Sequence, residues 1–178
     1  PMRFYAVCTD IVSGRPVYRE IADADGKGLR SMQASASMPV FARPVEIDGR
    51  HYLDGGLTDC IPLKFIQRMG YRRNVVVLTQ PLDYRKRQAH VGWAMKMFLG
   101  DYPKVAQLMA HRHVMYNGEL DYLHTEEQKG DTFLIYPDEK LNIGRLSLKE
   151  DKMRRVYEAG VAKATALLPQ IKRFLAGE

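Results

Sequence analysis

The chain has 178 residues, of which 46% are hydrophobic and 27% are charged, and its formal net charge at pH 7 is +6. This length fits one ordinary domain or a piece of a larger one, and the composition is typical of a folded globular protein. The sequence contains no run of about 18 uncharged apolar residues, so it predicts no transmembrane helix. The first ten residues enter a strand-like run after one arginine, which is not typical of a signal peptide.

Two cysteines, Cys8 and Cys60, lie in apolar surroundings without a partner at a motif spacing. We therefore expect packed thiols in a reducing compartment, with a reactive Cys60 as the alternative. A separate expectation is a location in the cytoplasm or peripheral to the inner membrane. Positive charge is concentrated in short clusters such as Arg72-Arg73 and Arg85-Lys86-Arg87. These clusters indicate either a solvated basic face or a surface that binds anionic lipid or nucleic acid.

Hydrophobic periodicity and turn residues predict the following elements in chain order. They are strands over 3–11 and 17–21, a helix over 29–38, a hairpin over 44–53, a helix over 61–70, a strand over 74–80, helices over 91–100 and 103–127, a strand over 132–137 and an amphipathic helix over 149–175. Pro169 should kink or restart the last helix. In the hairpin, the two-residue turn Asp48-Gly49 predicts that Val45 pairs with Tyr52, Glu46 with His51 and Ile47 with Arg50.

The β-branched run from Asn74 to Gln80 is typical of a strand covered on both faces. A helix followed by such a strand is half of a βαβ unit, so the fold class is predicted to be α/β. Residues 1–82 carry most of the predicted sheet, and residues 83–178 are predicted to be mostly helical with one short strand. The predicted boundary between the two regions therefore lies after residue 82.

Several motifs that carry chemistry are missing, among them G-x-S-x-G, the P-loop, G-x-G-x-x-G and H-E-x-x-H. His111 and His113 are two residues apart, so on a helix they would face different ways and would not share a metal. The aromatic residues do not form the stacking pattern of an RNA-binding sheet. We therefore predict no cofactor, no metal and no specific nucleic-acid partner.

One carboxylate occupies a distinctive position, because Asp54 follows the predicted hairpin directly and precedes Gly55 and Gly56. Two glycines allow positive φ angles and the close approach of another group. A carboxylate held there can orient or deprotonate a hydroxyl group. The same tripeptide is also a common tight turn, and the residues alone leave both interpretations open.

The segment from Ala34 to Leu63 contains, in order, Ala34-Ser35, Pro39, Asp54-Gly55-Gly56 and Pro62. This order resembles that of the patatin-like phospholipases, in which a small-residue helix end, a hairpin, an Asp-Gly-Gly motif and a helix with an early proline follow one another. The strand-turn-strand pattern of Ala6–Val17 is also similar to the family, and Tyr71–Pro81 resembles its bacterial branch.

The resemblance implies a partial patatin-like three-layer sheet region over residues 1–82, followed by a helical C-terminal extension. It also implies a serine hydrolase of lipid acyl esters that uses a Ser-Asp dyad. Asp54 matches the dyad aspartate of the family, which accepts the serine proton and returns it to the leaving group. Gly55 and Gly56 support the motif. An ordinary aspartate is a weak base at neutral pH, so such a site needs desolvation or transition-state coupling.

The sequence departs from the family in one respect, because it contains neither the G-x-S-x-G elbow nor the glycine-rich oxyanion loop. Its five serines, none of which lies between glycines at that spacing, are Ser13, Ser31, Ser35, Ser37 and Ser147. The expectation is therefore a C-terminal part of the hydrolase, with the nucleophile upstream and the isolated piece inactive. A degenerate relative that lacks the elbow is the alternative.

A second hypothesis is a non-catalytic basic module that binds a lipid or membrane surface, with Trp93 of the segment VGWAMKMFL at the interface. The expected partners differ between the hypotheses. They are an acyl-ester lipid substrate, the missing N-terminal half of the domain, a peripheral membrane surface, and a second copy of the chain bound through exposed core surface.

Overall fold

The computed structural model describes residues 2–22, 26–88, 102–144, 147 and 149–177. The chain divides into two compact units, one made of Pro1–Pro62 with Lys86–Glu119 and the other of Leu63–Arg85 with Leu120–Glu178. The predicted helix over residues 91–100, with Trp93, lies outside the described residues. The predicted division after residue 82 stays a prediction.

The helices and strands follow the predicted order. They are β1 (Tyr5–Asp10), β2 (Arg15–Glu20), α1 (Gly26–Ser35), β3 (Val45–Ile47), β4 (Arg50–Asp54), α2 (Leu63–Arg68), β5 (Asn74–Val77), α3 (Pro103–Gln128), β6 (Thr132–Ile135) and α4 (Glu150–Ala176), with a 3-10 turn over Gly55–Leu57 after β4. A strand-rich N-terminal part and a helical C-terminal part confirm the α/β fold class.

The first unit contains a four-stranded antiparallel sheet with the strand order β2-β1-β4-β3. The register of the β3–β4 hairpin is the predicted one, in which Val45 pairs with Tyr52, Glu46 with His51 and Ile47 with Arg50. Asp48 and Gly49 have φ angles of 53° and 73°. These positive values are what a two-residue type I′ turn requires, so the local sequence determines the register.

Neighbouring residues of β4 point to opposite faces of the sheet. A helix packs on each of these faces. On one side the buried cluster consists of Tyr52, Cys8, Ile47 and Ala34 of α1. On the other side it consists of Leu53, Ile11, Leu57 and Val105 of α3. The first unit is thus built of three layers, α1, the sheet and residues 103–119 of α3.

Helix α1 begins and ends three residues earlier than predicted, at Gly26 and Ser35 rather than at Leu29 and Met38. Pro39 disfavours helical backbone in the residue before it. Ser37 N–H bonds to the carbonyl of Ala34, which makes a turn after the helix. The small residues do allow the predicted close packing, since Ala34 is fully buried.

The second unit contains β5 and β6, which pair in parallel from Asn74 with Thr132 to Val77 with Ile135. Helix α4 packs on β6, where the ring centroids of Phe133 and Phe174 are 5.7 Å apart. The prediction that β5 is covered on both faces is wrong at its end, because Val77 is 68% exposed. In the described part of the chain β5 has a neighbouring strand at one edge only.

Helix α4 continues through Pro169 as one helix, so it does not restart there. None of the described helices combines the length and the apolar character needed to cross a bilayer.

Candidate active site

Asp54 is the last residue of β4 and the N-cap of the 3-10 turn Gly55–Leu57. Its backbone N–H donates to the carbonyl oxygen of Ser37 at 2.9 Å. Its own carbonyl oxygen accepts a hydrogen bond from Thr9 Oγ1 at 2.9 Å. In the sheet, Asp54 lies opposite Cys8 of β1. Strand pairing and two further hydrogen bonds therefore fix its backbone.

The carboxylate of Asp54 is half-buried, and its two oxygens have different environments. Oδ1 accepts a hydrogen bond from the N–H of Gly56 at 2.7 Å, which is the usual role of an N-cap side chain. Across the ranges that the structure describes, no group donates a hydrogen bond to Oδ2. One oxygen is therefore held by the turn, and the other has no donor among the described residues.

Gly55 and Gly56 are required for close approach rather than for a special backbone conformation. A Cβ on Gly55 would lie 2.3 Å from the carbonyl oxygen of Val7, which is closer than real Cβ atoms come. A Cβ on Gly56 would lie 3.0 Å from Asp54 Oδ1 and 3.0 Å from Arg112 Nη2. Neither glycine has a positive φ angle, although glycine would allow one.

Two charged side chains of α3 bind the backbone that follows Asp54. Arg112 Nε donates to the carbonyl oxygen of Gly56 at 2.5 Å. Both carboxylate oxygens of Glu119 accept from the N–H of Cys60 at 3.2 Å, and Oε2 also accepts from the N–H of Ile61 at 3.2 Å. The segment from Gly56 to Ile61 is thereby fixed to α3.

Glu119 belongs to a pair of neighbouring carboxyl groups. Burial, and the charge of Asp59 beside it, raise the pKa of Glu119 to about 8, against the lowering effect of the Cys60 and Ile61 N–H groups. Asp59 in turn accepts a hydrogen bond from the hydroxyl of Tyr18 at 2.5 Å. Burial and the neighbouring carboxylate therefore favour the protonated form of Glu119, next to the loop.

Both cysteines are free and packed. Burial raises the pKa of the Cys8 thiol to about 11, and it also raises the pKa of Cys60. Cys60 Sγ donates to the carbonyl oxygen of Gly56 at 3.1 Å. Neither thiol therefore has the lowered pKa of a reactive nucleophile.

Ser37 contacts this loop through its backbone carbonyl oxygen. The hydroxyl of Ser37, whose carbonyl binds Asp54, donates to the carbonyl of Gln33 at 2.7 Å, so it is engaged within its own helix end. Among the described residues, no three His, Cys, Asp or Glu side chains could hold a metal ion.

The structure brings Asp54, Gly55 and Gly56 together as one loop, and the sequence reasoning missed the groups that support it. Arg112 and Glu119 are seven residues apart on a helix, so they lie on the same face. That face also contains the buried Val105. Charged residues on the apolar face of α3 are the signal that could have identified them.

A model of the family described as Patatin-like phospholipase matches residues 6–65. A second model, described as Domain of unknown function (DUF6363), matches residues 102–176. The candidate loop lies in the first segment, and the two charged residues of α3 lie in the second.

Curated relatives are similar to parts of this chain. The uncharacterised protein YjjU of Escherichia coli strain K12 is 31% identical over 138 residues, which is 74% of this chain and 38% of that protein. Uncharacterised NTE family proteins of Mycobacterium bovis and Mycobacterium tuberculosis are 33% identical over 63 residues, which is 35% of this chain and 16% of those proteins. The chain thus spans well under half the length of these relatives.

The order of motifs from Ala34 to Leu63, the loop at Asp54 and the family match over residues 6–65 agree with one another. We conclude that residues 6–65 of this chain form a segment of the patatin-like phospholipase family.

Proposed function

We propose that this chain supplies the acid-base half of a serine acyl hydrolase that acts on lipid esters, with Asp54 as the dyad aspartate. The observation that carries the proposal is the carboxylate itself, which is half-buried with Oδ1 held by Gly56 and with no donor to Oδ2 among the described residues. It lies within the segment that matches the patatin-like family.

The nucleophilic serine and the oxyanion donors of the proposed site belong to a longer parent protein. No serine of this chain lies in a G-x-S-x-G motif, and the chain spans 38% of its Escherichia coli relative. The proposed partner of this segment is therefore the remainder of the same catalytic domain.

In the proposed reaction, the serine Oγ attacks the carbonyl carbon of the ester and its proton passes to the carboxylate of Asp54. The tetrahedral intermediate then collapses, the bond to the alcohol oxygen breaks, and the proton moves from Asp54 to that oxygen. Water repeats the sequence on the acyl-serine and releases the carboxylic acid. Because the serine and the oxyanion hole are both needed, we expect the 178 residues alone to be inactive.

The test uses the parent protein with a fluorophosphonate probe, which labels activated serines, together with an acyl-ester turnover assay. We expect the wild type to take the label and to hydrolyse the ester. Asp54→Asn is expected to lose most of the labelling and most of the ester hydrolysis. Asp48→Asn is the matched control, because Asp48 is an exposed turn residue of the same hairpin and asparagine tolerates its φ angle of 53°.

The enzyme proposal is lost if the wild-type parent protein takes no label and turns over no acyl ester. Equal loss in Asp54→Asn and Asp48→Asn would indicate damage to the hairpin rather than removal of a catalytic group.

A second candidate function is a non-catalytic module that binds anionic lipid surfaces. Its support is α4, which exposes apolar side chains on a chain of net charge +6. The exposed residues are Met153, Tyr157, Val161, Leu168 and Leu175. Flotation with anionic vesicles tests it: binding at low salt that is lost at high salt supports the module, and no binding at low salt rejects it.

The same exposed apolar residues support a further proposed consequence, the association of isolated copies of the chain. Light scattering after size-exclusion chromatography measures this directly. A strictly monomeric chain at high concentration would contradict it.

A further inference from the structure

Helix α3 lies in the segment that matches the family of unknown function, yet two of its side chains bind the loop of Asp54. Arg112 and Glu119 are two helical turns apart and therefore lie on one face of the helix. Both belong to the same compact unit as Asp54. The loop is thus bound by a segment outside the patatin-like match.

Arg112 makes two contacts with the loop. Its Nε donates to the carbonyl oxygen of Gly56 at 2.5 Å, and its Nη2 lies 3.7 Å from Cys60 Sγ. The guanidinium is partly buried, where a charged hydrogen bond is stronger than one in water.

Gly56 connects this arginine to the proposed catalytic carboxylate. Its N–H donates to Asp54 Oδ1 at 2.7 Å, while its carbonyl accepts from Arg112. A Cβ at this position would lie 3.0 Å from both Asp54 Oδ1 and Arg112 Nη2. Arg112 and the carboxylate of Asp54 therefore approach the same open side of Gly56, which only a glycine leaves free.

Glu119 fixes the other end of the loop through the N–H groups of Cys60 and Ile61. With Gly56 held by Arg112 and Cys60 held by Glu119, the loop has little freedom to rotate away from α3. If Gly56 rotated, its N–H would leave Oδ1 and the carboxylate of Asp54 would lose its fixed orientation.

We propose that Arg112 is a positioning residue, which holds Gly56 so that Asp54 keeps the orientation needed to accept the serine proton. This inference rests on the proposed function, and it assigns a role to α3 that the match to a family of unknown function does not give. Arg112 does not contact the reacting atoms in this role, since it acts through Gly56.

The experiment has one arm in the parent enzyme and one in this chain. In the parent, Arg112→Ala is expected to lower kcat roughly 10- to 100-fold with KM little changed, because a small displacement of a catalytic group costs that much. Arg112→Lys is expected to restore part of kcat, and added guanidinium ion is expected to raise kcat of Arg112→Ala. Lys104→Ala is the matched control, since Lys104 also lies on α3 and binds a loop carbonyl, that of Ser13.

In the 178-residue chain, the readout is amide hydrogen exchange of the segment from Gly55 to Cys60. We expect Arg112→Ala to speed exchange there by roughly tenfold, and Lys104→Ala to leave it unchanged. This arm requires no catalysis and so remains decisive if the parent has no hydrolase activity.

The outcomes separate the two claims. A wild-type parent without esterase activity ends the proposed function, and exchange that is unchanged in Arg112→Ala then also ends the role of Arg112. An active parent whose kcat is the same in Arg112→Ala and Lys104→Ala overturns the positioning role alone. An increase in KM with kcat unchanged, without rescue by guanidinium, likewise overturns it.

Discussion

Thr9 binds Asp54 through the backbone, because Thr9 Oγ1 lies 2.9 Å from the carbonyl oxygen of Asp54. The same hydroxyl lies 2.9 Å from Thr58 Oγ1, at the far end of the turn. Thr9 is fully buried in β1, at the centre of the sheet. One hydroxyl therefore fixes the loop to a central strand of the sheet.

We expect Thr9→Val to destabilise the chain by about 1–3 kcal/mol, because the substitution keeps the shape of the side chain and removes the hydroxyl donor to the part-buried carbonyl oxygen of Asp54. Unfolding in urea measures the change. Thr125→Val is the control, since the Thr125 hydroxyl bonds to its own helix at an exposed site, and its effect should stay within about 0.5 kcal/mol. Equal effects of the two variants would contradict the role of Thr9.

Gly55→Ala is expected to destabilise the chain by about 4 kcal/mol, which is at the upper end of the range for single substitutions. Its Cβ would meet backbone, the Val7 carbonyl oxygen at 2.3 Å, which cannot move without disturbing β1. Gly118→Ala is the control, because Gly118 lies in α3 with nothing within 4 Å of its Cβ position. That variant should gain about 0.5–1 kcal/mol. A neutral Gly55→Ala in urea unfolding would show that the approach to Val7 is not tight.

Glu119→Gln is expected to change how stability depends on pH. The folded chain raises the pKa of Glu119 from 4.5 to about 8, so it binds the proton more tightly than the unfolded chain does. The stabilisation is thus complete below the unfolded pKa and is lost as pH rises through the folded pKa. The urea midpoint of the wild type should fall as the pH rises from about 5 to about 8, and the midpoint of Glu119→Gln should fall less.

Glu139→Gln provides the comparison for that series, because Glu139 is an exposed carboxylate in the second unit. It should keep the wild-type dependence on pH. A wild-type midpoint that is flat between about pH 5 and pH 8 would contradict the raised pKa of Glu119.

Local signals predicted most of the fold around the site. The Asp48-Gly49 turn determined the hairpin register residue by residue, because only one turn type suits that pair. The small residues near Ala34 predicted close packing, and Ala34 is fully buried. The covering of β5 was harder to predict, because an apolar run does not reveal how far other elements cover its faces.

The sequence predicted the loop of Asp54, but it did not predict the side chains of α3 that bind this loop. Asp54 and its glycines form a short contiguous motif, so the sequence displays them directly. Arg112 and Glu119 come more than fifty residues later, and their contacts with Gly56 and Cys60 depend on how α3 packs on the sheet. Such long-range contacts have no signature in a single sequence beyond charged residues on an apolar helical face.

The most direct test of the central claim is the rate of acyl-ester hydrolysis by the parent protein with and without Asp54→Asn. If Asp54 accepts the serine proton, kcat should fall by about 10²- to 10⁴-fold while the protein stays folded, and Asp48→Asn should match the wild type. Undiminished hydrolysis by Asp54→Asn in a folded, active parent protein would contradict the assignment of Asp54 as the dyad acid.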